Sequence, residues 1–114
     1  MLMVNTGKEL IQINTSKNTI EYSTTQGRTW ILCFTGTSCG TFKDLLLFDG
    51  GLIAATSKGI YFSSNGGRNW IPRFTSNCYG DFISLAENGK ELLATTTKGL
   101  YFSINGGRCW IKRR

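Results

Sequence analysis

Few residues in this sequence have a type and spacing that could do chemistry, and the carboxylates are considered first. Glu9 and Glu91 stand in two similar stretches, TGKEL and NGKEL, while Asp49 lies in another turn and Glu21 in a strand-like run. Hydrolysis of a glycosidic bond needs two carboxylates held roughly 5–10 Å apart in different protonation states. Repeated turn positions do not form such a pair, so we predict that the protein is not an enzyme.

The four cysteines do not predict a metal site. Cys33, Cys39, Cys78 and Cys109 form no Cys-x-x-Cys pair, and the chain has no histidine, whereas structural zinc sites use closely spaced cysteines and histidines. We therefore expect no metal and no cofactor. Without an export signal, four reduced thiols are the default. A Cys33–Cys39 or a Cys39–Cys78 bridge is compatible with the sequence but is not predicted.

A glycine-rich turn occurs three times in the chain. It reads EYSTTQGRTW at 21–30, YFSSNGGRNW at 61–70 and YFSINGGRCW at 101–110. Two glycines beside an arginine are compatible with a phosphate-binding loop, but such loops lead into a helix and this one leads into a strand-like run. We therefore interpret it as a turn between strands. Its arginines either stack on the tryptophan of their own repeat or form a basic face that binds anions: Arg28, Arg68 and Arg108.

The repeats follow a period of 40 residues, which is the strongest signal in the sequence. Each unit contains four short apolar or alternating runs joined by tight turns, and no window shows a sustained helical period. Four antiparallel strands in about 40 residues are typical of a β-propeller blade. We predict an all-β, single-domain chain, 1–114, of three four-stranded antiparallel propeller blades at about 1–34, 42–74 and 82–114.

The turn resembles the Asp-box, or BNR repeat, whose pattern is Ser-x-Asp-x-Gly-x-x-Trp. That repeat recurs in the blades of sialidases, sortilin-type receptors, photosystem assembly factors and some lectins. The resemblance covers essentially the whole chain, but Thr25, Asn65 and Asn105 occupy the aspartate position. The resemblance implies that the matching residues have a structural role: they fold the hairpin, and they lie away from the face that usually binds the ligand. These residues are Ser23, Gly27, Trp30, Ser63, Asn65, Gly67, Trp70, Ser103, Asn105, Gly107 and Trp110.

Three blades are too few to close a propeller ring, since known rings contain about four to eight blades. An arc of three blades would leave two apolar flanks open, which favours self-association. We therefore predict a homodimer that completes one ring of six blades. A trimer with nine blades is less favoured, and three blades in a monomer less again.

Function is predicted to reside in loops at the mouth of the central channel, because long connections on a rigid scaffold usually carry binding. We expect a non-catalytic module that binds a glycan or an anionic small molecule, such as a nucleotide or phosphorylated ligand, there or between blades. The alternative is a protein-interaction scaffold, and a sialidase-like glycosidase fragment is less favoured. The candidate ligand residues come from the loops at 35–44 and 75–82 and from two Lys-Gly turns: Lys43, Asp44, Lys58, Tyr79, Asp81 and Lys98.

The chain is basic, with 13 lysines and arginines against 7 acids. Three of these charges, at 112–114, form either a solvated basic tail or part of a surface that attracts anions. We expect no nucleic-acid partner, because no nucleic-acid-binding module is recognisable. No run approaches the roughly 18 apolar residues of a membrane span, and the first ten residues lack a signal-peptide pattern. We therefore expect a cytoplasmic location.

Overall fold

Twelve β-strands make up the fold in a computed structural model of the chain. The structure describes residues 2–35, 39–48, 50–75 and 78–113; Asp49, Arg114 and parts of the two predicted ligand loops lie outside these ranges. In the described ranges no helix is long and apolar enough to cross a membrane. The strands are β1 Met3–Asn5, β2 Leu10–Asn14, β3 Thr19–Ser23, β4 Ile31–Thr35, β5 Phe42–Phe48, β6 Gly51–Thr56, β7 Gly59–Ser63, β8 Ile71–Phe74, β9 Phe82–Asn88, β10 Glu91–Thr96, β11 Gly99–Ser103 and β12 Ile111–Lys112.

The strands form three four-stranded sheets, and each sheet is an antiparallel meander of consecutive strands. We call them blade 1 (β1–β4), blade 2 (β5–β8) and blade 3 (β9–β12). The predicted all-β class with three four-stranded antiparallel sheets is confirmed. The first strands of neighbouring blades contact each other, β1 with β5 and β5 with β9. The blades are therefore arranged side by side in chain order.

The core lies between the blades, because alternate side chains of each strand point to opposite faces of its sheet. Ile11, Ile13 and Ile20 of blade 1 pack in one cluster with Leu45 and Leu52 of blade 2. These five side chains are almost completely buried, and burying each contributes about 1.5–3 kcal/mol. A second cluster of the same kind joins blades 2 and 3. Blade 2 is thus covered on both faces.

The Lys-Gly turns of blades 2 and 3 need glycine for a steric reason. Gly59 and Gly99 have φ values of +134° and +132°, a region that side chains with a Cβ rarely adopt. A Cβ on Gly59 would also overlap the carbonyl oxygen of Phe74 on β8. Glycine therefore allows the fourth strand to pair closely with the third.

Candidate functional site

The turn between the third and fourth strands of blade 2 is held by hydrogen bonds from its own side chains. Ser63 Oγ accepts from Gly67 N at 2.9 Å and donates to Asn65 Oδ1 at 2.9 Å. Asn65 Oδ1 accepts from Asn69 N at 2.9 Å, and Trp70 Nε1 donates to Gly67 O at 2.9 Å. These bonds satisfy groups within the turn itself. Its serine, asparagine and tryptophan therefore fold the hairpin.

The turn of blade 3 repeats this arrangement. Ser103 Oγ accepts from Gly107 N at 2.9 Å and donates to Asn105 Oδ1 at 2.8 Å. Asn105 Oδ1 accepts from Cys109 N at 2.9 Å, and Trp110 Nε1 donates to Gly107 O at 3.0 Å. The amide oxygen of Asn105 accepts the hydrogen bond from Cys109 N. A carboxylate at this position would accept the same bond, so the turn forms without an aspartate.

The first turn uses a hydroxyl at the same place. Thr25 Oγ1 accepts from Thr29 N at 2.9 Å, and Ser23 Oγ accepts from Gly27 N at 2.9 Å. Trp30 is only half-buried here, whereas Trp110 is 4% exposed. Trp70 of the second turn is half-buried like Trp30, so Trp110 is the most deeply covered of the three turn tryptophans.

The predicted ligand residues do not form a single site in the structure. Lys58 and Asp81 line one depression between blades 2 and 3, with a volume of about 20 Å³, which is room for about one water molecule. Lys98 Nζ reaches the carbonyl oxygen of Cys78 at 3.5 Å, and Lys43 is half-buried on β5. The depression that Lys58 and Asp81 line is therefore too small for a ligand larger than about one water molecule.

Two more of the predicted ligand residues take part in packing between blades. The ring of Tyr79 stacks on Phe74, with centroids 5.3 Å apart, and its other neighbour is Tyr101 at 4.6 Å. Asp44 is buried, and its carboxylate accepts hydrogen bonds from the backbone N–H groups of Leu45 at 3.0 Å and Leu85 at 2.7 Å. Both side chains are thus engaged with the neighbouring blade.

The larger cavities lie between blades, beside the first hairpins and the glycine-rich turns. One, of about 760 Å³, runs between blades 1 and 2; we call it the 1–2 groove. An equivalent cavity of about 530 Å³ lies between blades 2 and 3. The 1–2 groove is lined by polar and charged groups together with apolar groups at Leu47, Phe48 and Leu52. Its lining residues are Thr6, Lys8, Glu9, Leu47, Phe48, Gly50, Gly51, Leu52, Ser64, Asn65, Gly66, Arg68 and Glu87.

An ion pair between blades defines one wall of the 1–2 groove. Arg68 Nη1 and Nη2 donate to the two carboxylate oxygens of Glu9 at 2.9 and 3.3 Å. The guanidinium also lies over the ring of Tyr22, 4.6 Å from its centroid. The hydrogen bond to Glu9 raises the pKa of Arg68 above its ordinary value. Arg68 therefore joins its blade to blade 1 rather than stacking on the tryptophan of its own blade.

The other two turn arginines have different surroundings. Arg108 Nη1 donates to Asn105 O of its own turn at 2.8 Å. Arg28 is exposed, and its guanidinium makes no hydrogen bond or ion pair with any residue that the structure describes. The three repeated arginines thus do not act alike.

Two groove residues were not identified from the sequence. Glu9 was interpreted as a surface turn, and Glu87 of β9 was not considered. The repeated GKEL stretches were the only signal for Glu9, because its partner Arg68 is 59 residues away. Nothing in the local sequence indicates that Glu87 would line the groove.

The four cysteines differ in exposure. Cys39 is buried, Cys78 and Cys109 are exposed, and burial raises the pKa of the half-buried Cys33 above its ordinary value. In the described ranges, no group of three or more cysteines, aspartates and glutamates could hold a metal ion.

Thiol labelling of the native protein is expected to divide the cysteines into two classes. Cys78 and Cys109 should react within minutes at pH 7.5, because only an exposed thiolate attacks the reagent readily. Cys33 and Cys39 should react at least about tenfold more slowly, and all four should react at one rate in denaturant. Mass spectrometry after timed alkylation measures this, and equal native rates would contradict the burial of Cys39.

Comparison with known proteins relates the chain to one fold. No protein-family model matches the sequence, and a search of curated proteins gives no match. Among solved structures the chain is similar to an ancestral GH74 enzyme, with a TM-score of 0.68 and 19% identity over 98% of this chain. The fold is of the β-propeller type. The chain spans 18% of the length of that enzyme, and at this identity the similarity shows the fold alone.

Proposed function

We propose that the protein is a non-catalytic binding module that holds a glycan in the 1–2 groove. The observation that carries this proposal is the cavity of about 760 Å³, because ligand pockets commonly measure about 300–1,000 Å³. It presents hydrogen-bond donors and acceptors beside an apolar surface at Leu47 and Phe48. A sugar offers the same mixture, with hydroxyl groups around an apolar ring face.

The charges of the groove favour a neutral ligand over an anion. Arg68 is already paired with Glu9 through two hydrogen bonds, and the charge of Lys8 is balanced by that of Glu87. The side chains of Lys8 and Glu87 make no hydrogen bond with another described residue, so both are available to ligand hydroxyls. A phosphorylated ligand would meet Glu9 and Glu87 without a free arginine, and is the less favoured alternative.

The same contacts support the non-catalytic part of the proposal. Glu9 and Glu87 are the carboxylates of the groove, and Glu9 is bound by a guanidinium on both oxygens. A glycosidase instead needs two carboxylates that act on the substrate, and Arg68 occupies both oxygens of one of the two. The similar GH74 structure is an enzyme, but its 19% identity transfers no catalytic residue to this chain.

We also infer that the glycine-rich turns are Asp-box repeats and that a second copy of the chain completes the ring. The matching serine, glycine and tryptophan positions in three turns support the first inference. The propeller-type fold, with three sheets in the described residues, supports the second, because a second copy would cover the outer faces of blades 1 and 3.

A glycan array followed by calorimetry tests the proposed function. Glu87→Ala is expected to raise the Kd of the best glycan at least about tenfold, because hydrogen bonds to charged groups contribute about 1.5–3 kcal/mol each. Asp81→Ala, on the other face of the molecule, is the matched control and should leave the Kd unchanged. Binding of inorganic phosphate without any glycan would favour the anionic ligand, and an effect of Asp81→Ala alone would overturn the placement.

A second candidate function, a protein-interaction scaffold, is favoured by one repeated feature. Ile31, Ile71 and Ile111 occupy the same position on the fourth strand of each blade and are 50, 61 and 52% exposed. An apolar side chain exposed at the same position of every blade offers a protein partner a contact on each blade. An array on which the protein binds no glycan at all would favour this alternative.

A further inference from the structure

Blades 1 and 2 meet through contacts that blades 2 and 3 repeat, and the first is a close approach to a glycine. A Cβ on Gly67 would lie 3.1 Å from Cγ2 of Ile20, and one on Gly107 would lie 3.2 Å from Cγ2 of Ile60. Such distances are tighter than ordinary van der Waals contact, so each turn glycine lets a third-strand side chain approach. Each blade therefore presents that side chain to the turn of the next blade.

The second repeated contact joins the fourth strand to a carbonyl of the next turn. Cys33 Sγ lies 3.6 Å from Gly66 O, and Arg73 Nη1 donates to Gly106 O at 2.7 Å. Cys33 and Arg73 occupy equivalent positions. Each lies two residues after an isoleucine that pairs with the third strand at the residue before the turn serine, Ile31 with Tyr22 and Ile71 with Phe62. A donor at this position is thus a regular part of an interface between blades.

The third contact, the ion pair of Glu9 with Arg68, is made between blades 1 and 2 alone. The leucine that follows Glu9 in sequence pairs with the first serine of the turn, and this pairing recurs in all three blades. Glu9, Gly51 and Glu91 are therefore counterparts. Gly51 has no carboxylate, so Arg108 finds no such partner on blade 2. Blade 3, in contrast, carries the carboxylate again.

The outward face of blade 3, which we call the blade 3 flank, carries all three groups that a following turn requires. Leu100 is the counterpart of Ile20 and Ile60 and is half-buried. Arg113 is the counterpart of Arg73 and lies over Phe102, 4.1 Å from the ring centroid, as Arg73 lies over Phe62. Glu91 is the counterpart of Glu9.

The outward face of blade 1, the blade 1 flank, carries the complementary turn. A Cβ added to Gly27 would contact Trp30 and Leu10 of blade 1 itself. No described side chain of another blade lies there, whereas Gly67 is approached by Ile20 of the neighbouring blade. Gln26 has a φ of +61°, in the same region as Gly66 at +74°. Arg28, the counterpart of Arg68, is exposed and has no ion pair with any described residue.

We propose that the blade 3 flank of one copy packs against the blade 1 flank of a second copy, with Arg28 of the second copy binding Glu91. This pairing of the two flanks rests on the proposed ring closure, and it specifies the interface between the two copies in that ring. Two chains related by a twofold axis form this contact twice. Glu91 is held in place by Arg113, whose guanidinium donates to both of its oxygens at 3.1 and 2.9 Å and lowers its pKa. A second guanidinium can approach the same carboxylate.

A polar cluster on the blade 1 flank favours a reversible rather than a permanent contact. Glu21 stands where blades 2 and 3 have the buried Tyr61 and Tyr101. Its carboxylate accepts from Gln12 Nε2 at 3.0 Å and Asn14 Nδ2 at 3.2 Å. A blade 1 flank that faces water as an end of the arc is the outcome that opposes the proposal.

Light scattering on the purified full chain decides between these outcomes, using charge reversals that leave the internal interfaces intact. The wild type is expected at about twice the chain mass of 12.7 kDa. Arg28→Glu alone and Glu91→Arg alone should each weaken the dimer at least about tenfold, because like charges then face each other at both contacts. An equimolar mixture of the two variants should restore the dimer, since both contacts of the mixed pair again join opposite charges. Arg108→Glu is the matched control and should dimerise like the wild type.

Each result has one meaning. A wild-type monomer would overturn ring closure together with this interface. A wild-type dimer that neither reversal weakens, or a mixture that stays monomeric, would overturn the flank pairing alone. Glycan binding in the 1–2 groove is measured separately and does not depend on either result. The rescue by mixing also excludes misfolding as the cause of dissociation.

Discussion

Replacing Trp110 by alanine is expected to lower the free energy of unfolding by about 3–5 kcal/mol. The indole is 4% exposed, packs on Phe82 with ring centroids 5.4 Å apart, and donates from Nε1 to Gly107 O at 3.0 Å. Removing it leaves a cavity between blades 2 and 3 and an unpaired turn carbonyl. Urea denaturation followed by far-UV circular dichroism measures the loss, with an unchanged m-value showing that the variant unfolds in the same way.

The matched control is Trp30→Ala, at the same position of the first turn. Trp30 is half-buried and has no ring partner among the described residues, so its loss should cost clearly less than the loss of Trp110. Both tryptophan substitutions are made in the Arg28→Glu variant. Their effects are compared at a protein concentration at which that variant is monomeric. Equal effects would contradict the unequal covering of blades 1 and 3.

Replacing Asp44 by alanine is expected to lower the free energy of unfolding by about 1–3 kcal/mol, because the buried N–H group of Leu85 loses its acceptor. Asp44 is 6% exposed and accepts hydrogen bonds from Leu85 N at 2.7 Å and Leu45 N at 3.0 Å. A buried N–H group left unpaired costs about 1–3 kcal/mol. Leu85 belongs to β9, so the substitution removes a link between blades 2 and 3. Thermal and urea unfolding measure the effect.

Ser84→Ala is the control for this experiment. Ser84 occupies in blade 3 the position that Asp44 occupies in blade 2. Asp44 pairs with Ala55, and Ser84 pairs with the equivalent residue Thr95. Ser84 is half-buried. Its loss should change stability by less than about 1 kcal/mol. A stable Asp44→Ala variant that loses ligand binding would instead support the role predicted for Asp44 from the sequence.

The strands and their grouping could be predicted because the signals for them are local. Alternating apolar residues, glycine turns and the 40-residue period depend on neighbours in sequence, and they predicted three four-stranded sheets. Asp44 and Tyr79 were assigned to ligand binding because each lies in or beside a polar loop. A register shift between Phe42 and Asp44 places the carboxylate in the interface between blades 2 and 3, and alternation alone does not reveal such a bulge. The ligand role of Asp44 and Tyr79 stays a prediction.

The contacts between blades could not be predicted in the same way. Glu9 and Arg68 are 59 residues apart, and Arg73 binds a carbonyl 33 residues further along the chain. Such pairs form only when the packing of two sheets brings a hairpin of one beside a turn of the other. The period indicates that equivalent positions exist, but it does not show which of them face each other.

Local chemistry in the amino-acid sequence was therefore sufficient for the strands, the turns and the repeat, because hydrogen bonds within a hairpin connect residues close in sequence. The position of the candidate site depended on the tertiary structure. Packing of blade 1 on blade 2 creates the 1–2 groove and pairs Arg68 with Glu9, whereas Arg28 stays exposed on an uncovered flank. The same arginine of the same turn has different partners in the three blades, because among the described residues only Arg68 meets a carboxylate on the neighbouring blade.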